Sequence, residues 1–123
     1  MKKLFLVCLM MLAGSAWADW VKYEETDTVT YYFDPTTIRK DRNMRRVWKI
    51  HDLKKQGGIG EVSRRMRDEY DCKQERYRTL GASGHSEPMA GGKVLIITGE
   101  DKDWSEIPPD TINDTLLKIV CVK

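Results

Sequence analysis

The stretch EYDCKQERYRTL, residues 69–80, decides how the chain is read. Glu69, Asp71, Lys73 and Glu75 take every second position, and Tyr70, Cys72, Gln74 and Arg76 fill the gaps. A period of two marks a strand. The spacing predicts one long strand from about Arg65 to Thr79. Its charged row reads as a solvated face, although Glu69 and Asp71, with Asp68 on the other side, also have the chemistry of an acid/base pair. Cys72 then lies mid-strand on the less charged face and calls for a partner.

The partner follows from the chain ends. Met1-Lys2-Lys3 is basic, Leu4 to Leu12 is apolar, and Ala16-Trp17-Ala18 offers small residues to a signal peptidase. This reads as a secretory signal peptide over residues 1–18, since an apolar run this short falls well below the about 20 residues of a membrane span. The expected mature chain, residues 19–123, is a single domain. Losing Lys2 and Lys3 leaves 19 acidic residues facing an equal number of basic ones. That balance argues against general nucleic-acid binding, which rests on phosphate neutralisation. Cys8 leaves with the signal. An exported chain with two cysteines invites one disulfide, Cys72 to Cys121. Closing a loop of roughly 50 residues contributes roughly 4 kcal/mol in the chain-entropy model.

Around this pair the elements read as follows. Trp20 to Tyr23 and Thr28 to Phe33 alternate or are β-branched and aromatic, and read as strands. Asp34-Pro35 interrupts, Thr36 to Arg39 forms a short edge segment, and Asp41-Arg42-Asn43 turns into a strand over Met44 to Leu53. Gln56 to Gly60 is a flexible connection. Gly81 to Gly92, with its Gly, Ser and Pro residues, reads as a loop or loose hairpin carrying His85, Glu87 and Met89. Lys93 to Thr98 (KVLIIT) is the most apolar strand and is expected at the sheet centre. Asp110 is the expected N-cap of a terminal helix whose apolar face is Ile112, Leu116, Ile119 and Val120. The fold class is α+β: a curved antiparallel sheet of roughly five to six strands with the C-terminal helix packed on it and tethered by the disulfide. Trp20, Trp48 and Trp104, with Tyr31 and Tyr70, are assigned to the core beneath that helix.

Sites of chemistry are sparse. His51 and His85 have no second ligand at metal spacing, so neither metal nor cofactor is expected. Ser63, Ser83 and Ser86 lack the flanks of an activated serine, and Gly57, Gly58 and Gly60 lack the Gly-Lys-Ser/Thr of a phosphate loop. No catalytic residue is assigned. Basic residues do cluster: Arg39, Lys40, Arg42, Arg45, Arg46 and Lys49, then Arg64, Arg65 and Arg67. On adjacent strands these make an electropositive patch suited to an acidic partner; the plainer reading is a solvated hairpin.

The sequence resembles the surface-adhesin protein E family, small exported proteins of Gram-negative bacteria. The resemblance rests on Trp20, the Tyr-Phe-Asp stretch at 32–34 with Ile38, Val47-Trp48, and Tyr70-Asp71-Cys72 with Arg76. It continues through Met89 before Gly91-Gly92, Trp104 with Ile107-Pro108, and Val120-Cys121. It implies a twisted antiparallel sheet with a disulfide-tethered C-terminal helix, and binding of host matrix and serum proteins. The name-giving members are surface lipoproteins, whereas the expected cleavage site after Ala18 carries Asp19 and not a cysteine, so the expected location is the periplasm, with the cell surface or secretion as alternatives. The reading is an exported, non-enzymatic binding domain that meets a protein, an acidic polysaccharide or an envelope component through loops and a basic face. The alternatives are a periplasmic assembly subunit, including a homodimer, that pairs through a free sheet edge, and, further off, a periplasmic hydrolase.

Overall fold

The computed structural model describes residues 19–122; the expected signal peptide and Cys8 lie outside the described residues. The decisive stretch folds as a hairpin. Strand β5 is Ser63–Asp71 and β6 is Arg76–Glu87, with a tight turn between them. The Asp71 carboxylate makes the turn: it accepts the backbone N–H of Lys73 and of Gln74, each at 3.1 Å. The Glu75 N–H closes onto the Asp71 carbonyl at 2.9 Å, and Glu75 takes the left-handed conformation at φ 54°. An aspartate that bonds the backbone two and three residues on is a turn former. The expected single strand over 65–79 is therefore two strands, because an alternating pattern carries on across a tight turn without a break.

The remaining strands are β1 Val21–Glu25, β2 Val29–Phe33, β3 Arg39–Asp41, β4 Met44–Leu53, β7 Gly91–Thr98 and β8 Ser105–Glu106, and the helix α1 is Ile112–Val120. All pair antiparallel in one sheet of order β1-β2-β4-β5-β6-β7, with β3 added beside β4 and β8 beside β6. The expected edge segment at 36–39 is a 3-10 turn, Pro35–Thr37, nucleated by the Asp34 carboxylate accepting from the Thr36 N–H; β3 starts only at Arg39. The expected loop over 81–92 is mostly the second half of β6. Its return is a two-residue turn at Met89-Ala90, both left-handed (φ 55° and 59°), closed by Gly91 N–H to the Pro88 carbonyl at 3.1 Å.

Register decides which face is which, since directly paired residues point the same way. Val47, Lys49 and His51 share a face with Tyr70, Asp68 and Phe33. The helix packs there: Phe33, Val47, Tyr70, Ile107, Leu116, Leu117 and Val120 form the core, with Tyr23, Ile38, Tyr77 and Cys121 against it. Thr111, not Asp110, is the N-cap: its hydroxyl accepts the Asp114 N–H, while the Asp114 carboxylate accepts the Asp110 N–H. The buried stripe of α1 is Asp114, Leu116, Leu117 and Val120, and Ile119 from the expected stripe is 39% exposed. The disulfide joins Cys72 and Cys121. Cys72 sits in the hairpin turn rather than mid-strand, and Cys121 caps the helix, so the bond ties the end of α1 to the tip of the β5–β6 hairpin.

Lys93 to Thr98 is not central. It belongs to β7, the last strand in the sheet order, and Val94, Leu95, Ile96 and Ile97 are all solvent-exposed. The tryptophans are likewise outside the core: Trp20, Trp48 and Trp104 are each only half-buried.

Candidate binding face

The sheet face away from α1 carries a lattice of arginines. On β4, β5 and β6 the register aligns Arg46 with Glu69, Glu69 with Arg78, Asp71 with Arg76, and Trp48 with Arg67. Arg46 Nε donates to Glu69 Oε2 at 2.9 Å, and Arg78 Nε to Glu69 Oε1 at 3.0 Å. A second arm of Arg78 reaches Glu100 at 3.2 Å. Arg76 Nε donates to Asp71 Oδ2 at 2.9 Å. The expectation of a solvated acidic row fails here: Glu69 and Asp71 are 4% and 3% exposed, clamped by guanidinium groups. Burial pushes the Glu69 carboxyl up, but bonds from Arg46 and Arg78 outweigh it and hold the group below its ordinary range. Asp71 behaves alike: burial raises it, and the Gln74 N–H, Arg76 and the Lys73 N–H together bring it down. Both carboxylates stay charged at neutral pH, so neither suits proton transfer there.

Two aromatic planes sit in this lattice. Arg76 and Arg78 lie 4.7 and 4.9 Å from the Trp104 ring centroid, and Arg65 lies 5.3 Å from that of Trp48. Stacked guanidinium groups keep their charge while shedding part of their conformational freedom. Five guanidinium groups (Arg46, Arg65, Arg67, Arg76 and Arg78) thus stand on this face against Glu69, Asp71 and Glu100. Among the described residues, Arg65 and Arg67 have no carboxylate partner.

The nine basic residues singled out by sequence do not form one patch, and Lys49 is buried on the helix side of the sheet. Arg46, Arg65 and Arg67 share this face, joined at the β3 edge by Arg39, which pairs with Arg46. Lys40, Arg45 and Arg64 point to the helix side of the sheet. Arg42 is the left-handed residue of the β3–β4 turn, and its carbonyl accepts from Arg45 at 2.8 Å. Arg76, Arg78 and Trp104 were missed. The Arg76-x-Arg78 spacing was visible, but the assumed continuous strand separated it from the other arginines.

A different polar cluster lies under the helix. Lys49, 2% exposed, donates to Asp68 Oδ2 at 2.8 Å, to the Tyr70 hydroxyl at 3.0 Å and to Asn113 Oδ1 at 3.3 Å. Thr79 donates to the other Asp68 oxygen at 2.8 Å. Burial opposes the Lys49 charge, yet Tyr70, Asp68 and Tyr23 more than compensate and raise its pKa. Beside it, burial, helped by Lys49 and Arg64, pushes His51 down to about 3. This cluster links β4, β5 and α1 and is shut off from solvent, so it orients the helix.

At the other end of the sheet the Ser83 hydroxyl meets His85 Nε2 at 2.7 Å, while His85 Nδ1 is buried without a partner. Among the described residues no third group bonds that ring, and a serine–histidine nucleophile needs its base oriented by one. No group of three His, Cys, Asp or Glu side chains converges as a metal site among the described residues, and no described helix is long and apolar enough to cross a membrane.

Comparison with known proteins agrees with this architecture. A family model described as surface-adhesin protein E matches residues 20–122. Among solved structures, Haemophilus influenzae protein E superposes with a TM-score of 0.67 at 16% identity, over 83% of each chain. Its second crystal form gives 0.63 at 16% identity, over 86% of this chain and 96% of that one. Protein E from non-typeable Haemophilus influenzae gives 0.65 at 17% identity, over 83% and 74%. At such identities the likeness is one of fold. No curated protein matches the sequence.

Proposed function

Because the chain belongs to the surface-adhesin protein E family, we propose that it is an exported, non-enzymatic binding domain that takes an anionic partner on the arginine–tryptophan face. The observation that carries this reading is the set of five guanidinium groups aligned by strand register, four of them (Arg46, Arg65, Arg76 and Arg78) held by two buried carboxylates and two indole rings. The carboxylates fix Arg46, Arg76 and Arg78 in place and the rings hold Arg65, Arg76 and Arg78 flat, which lowers the ordering cost of binding. Planar guanidinium groups match carboxylate, sulfate and phosphate oxygens in pairs. The partner is an acidic protein surface or a sulfated or phosphorylated polymer met at the cell envelope or beyond it.

The test uses immobilised heparin as the anionic probe, with the exported, oxidised protein applied at low salt and eluted by a salt gradient. Retention that ends as salt rises is expected, because exposed charges are screened within about 8 Å at physiological ionic strength. Arg65→Glu/Arg67→Glu removes the two arginines without carboxylate partners and reverses their charge. It should elute well ahead of the wild type, while Arg64→Glu, on the opposite face, elutes close to it. Equal elution of the wild type and the Arg65/Arg67 double variant would overturn the assignment.

A further inference from the structure

We infer that the groove between Trp48 and β7 is a site for a small single-chain amphiphile, an alkyl or acyl chain ending in an oxyanion. Arg65 and Ser83 hold the headgroup, and Val94 and Ile97 hold the chain. The inference rests on the anionic-partner reading for Arg65 and goes beyond it in naming the ligand. The groove has a volume of about 270 Å³, and Trp48, Arg65, Gly81, Ser83, Val94 and Ile97 all line it. Strand register assembles it. Arg65 pairs directly with Ser83, and Ser83 with Ile97, so these side chains stand in one row on the arginine face. Val94 is three residues from Ile97, and plain alternation would send it to the other face. The register shift at Gly84/His85 leaves Leu95 as an extra residue on β7 and returns Val94 to this face. Gly81 keeps the groove open: a Cβ there would find only the Thr98 carbonyl oxygen within 4 Å, at 3.8 Å.

The headgroup end offers donors. Arg65 has no carboxylate partner among the described residues, and its guanidinium lies 5.3 Å from the Trp48 ring centroid. Ser83 supplies a second donor because of His85. That ring is 3% exposed, its Nε2 lies 2.7 Å from Ser83 Oγ, and its Nδ1 is buried without a partner among the described residues. A buried N–H with no acceptor is rare, so the ring proton belongs on Nε2, which donates to the Ser83 oxygen. Burial and the Arg65 charge both favour the neutral ring, so Nδ1 stays bare. A hydroxyl that accepts one bond keeps its own proton to give, and among the described residues Ser83 Oγ has no other partner. The Ser83 O–H is left to donate to a ligand beside Arg65. A guanidinium and a hydroxyl donor side by side select an oxyanion and reject a cation.

The other end of the groove is apolar. Val94 and Ile97 are 52 and 77% exposed. A sulfated or phosphorylated polymer pairs with the arginines but brings nothing apolar to these two side chains. An alkyl chain attached to the anion covers them, and the apolar area it removes from water adds to the ion pair. The row from Arg65 through Ser83 to Ile97 also sets the direction: a headgroup at Arg65 sends the chain over Ile97 toward the β7 edge.

The experiment is an NMR titration of the exported, oxidised, isotopically labelled chain with octanoate and with the shorter straight-chain acids down to acetate. Saturable shifts at Ser83 and Ile97 are expected, with affinity rising about two- to fourfold for each added CH₂. Octylamine, with the same chain length and the opposite charge, should not bind there. Ser83→Ala should weaken octanoate about tenfold, the effect of losing a hydrogen bond to a charged group. Ile97→Ser, a change at an exposed side chain, should flatten the chain-length series; circular dichroism checks that both variants are folded. Phosphatidylglycerol vesicles separate a free amphiphile from a lipid surface, and the protein should stay in the supernatant when they are sedimented. Absence of saturable octanoate shifts, equal affinity for acetate and octanoate, equal binding of octylamine, wild-type affinity in Ser83→Ala, or co-sedimentation with vesicles that octanoate does not displace would each overturn the inference. Heparin elution is read separately. Retention without octanoate binding overturns this inference alone, and octanoate binding without retention overturns the polymer reading alone.

Discussion

Replacing Asp68 by asparagine tests the buried cluster under the helix. The change is nearly isosteric and keeps an oxygen for the Thr79 hydroxyl. It removes the one anion bonded to Lys49 among the described residues, leaving an ammonium group with the Tyr70 hydroxyl and Asn113 Oδ1 as acceptors. Both side chains of the pair are at most 2% exposed, so water cannot take over. Breaking such a pair on one side costs about 3–5 kcal/mol. A second route bounds the loss: Lys49 can shed its proton, which from an ordinary lysine pKa near 10.4 costs about 4.6 kcal/mol at pH 7. The two figures agree and take up much of the roughly 5–15 kcal/mol of a small domain. Urea unfolding followed by tryptophan fluorescence, with the disulfide intact, measures the change.

The pH dependence separates this cause from simple loss of packing. In Asp68→Asn the folded Lys49 pKa falls below its unfolded value, so the unfolded chain binds more protons and stability rises with pH. The deficit against wild type should therefore shrink between pH 7 and pH 10. Lys49→Met/Asp68→Leu, which removes both charges, should recover most of the loss, since apolar replacements of buried ion pairs are often neutral or better. A deficit below about 1 kcal/mol at pH 7, or one that does not change with pH, would refute the reasoning.

His51 is held neutral, with its pKa lowered to about 3, so acid favours the unfolded chain, which protonates near pH 6.5. Stability should fall by about 2 kcal/mol between pH 7 and pH 5. His51→Phe should lose clearly less over that interval, keeping only a smaller loss of the same sign from His85, which burial and Arg65 also lower; equal losses would exclude His51 as the source. At the β6–β7 turn, Met89 and Ala90 both sit at positive φ, where Asn-Gly is favoured in two-residue hairpins. Met89→Asn/Ala90→Gly should stabilise the domain by about 1 kcal/mol, read as a higher urea midpoint at unchanged slope; an unchanged or lower midpoint would mean the turn carries no strain.

What the sequence determined by itself was local or combinatorial. The β-branched and aromatic runs named β2 and β4, the apolar repeat after Pro109 named the helix, and the two cysteines outside the expected signal peptide left one pairing, 72 with 121. Together these sufficed for a sheet with a tethered helix. Residues 69–80 show where local reading stopped. Their alternation is the same for one strand or for two joined by a tight turn, and only the Asp71 bonds to residues 73 and 74 mark the corner. That corner decided the candidate site, because it brought Arg76 and Arg78 back beside Glu69 and placed Trp104 beneath them. Strand order was equally illegible: KVLIIT has the composition of a central strand, and only the pairing of β5 with β6 left β7 at the edge with its side chains in water. A single-residue change of register exchanges the two faces of a strand, so the division of the basic residues into a candidate binding face and a helix side was settled by long-range pairing, which no local pattern encodes.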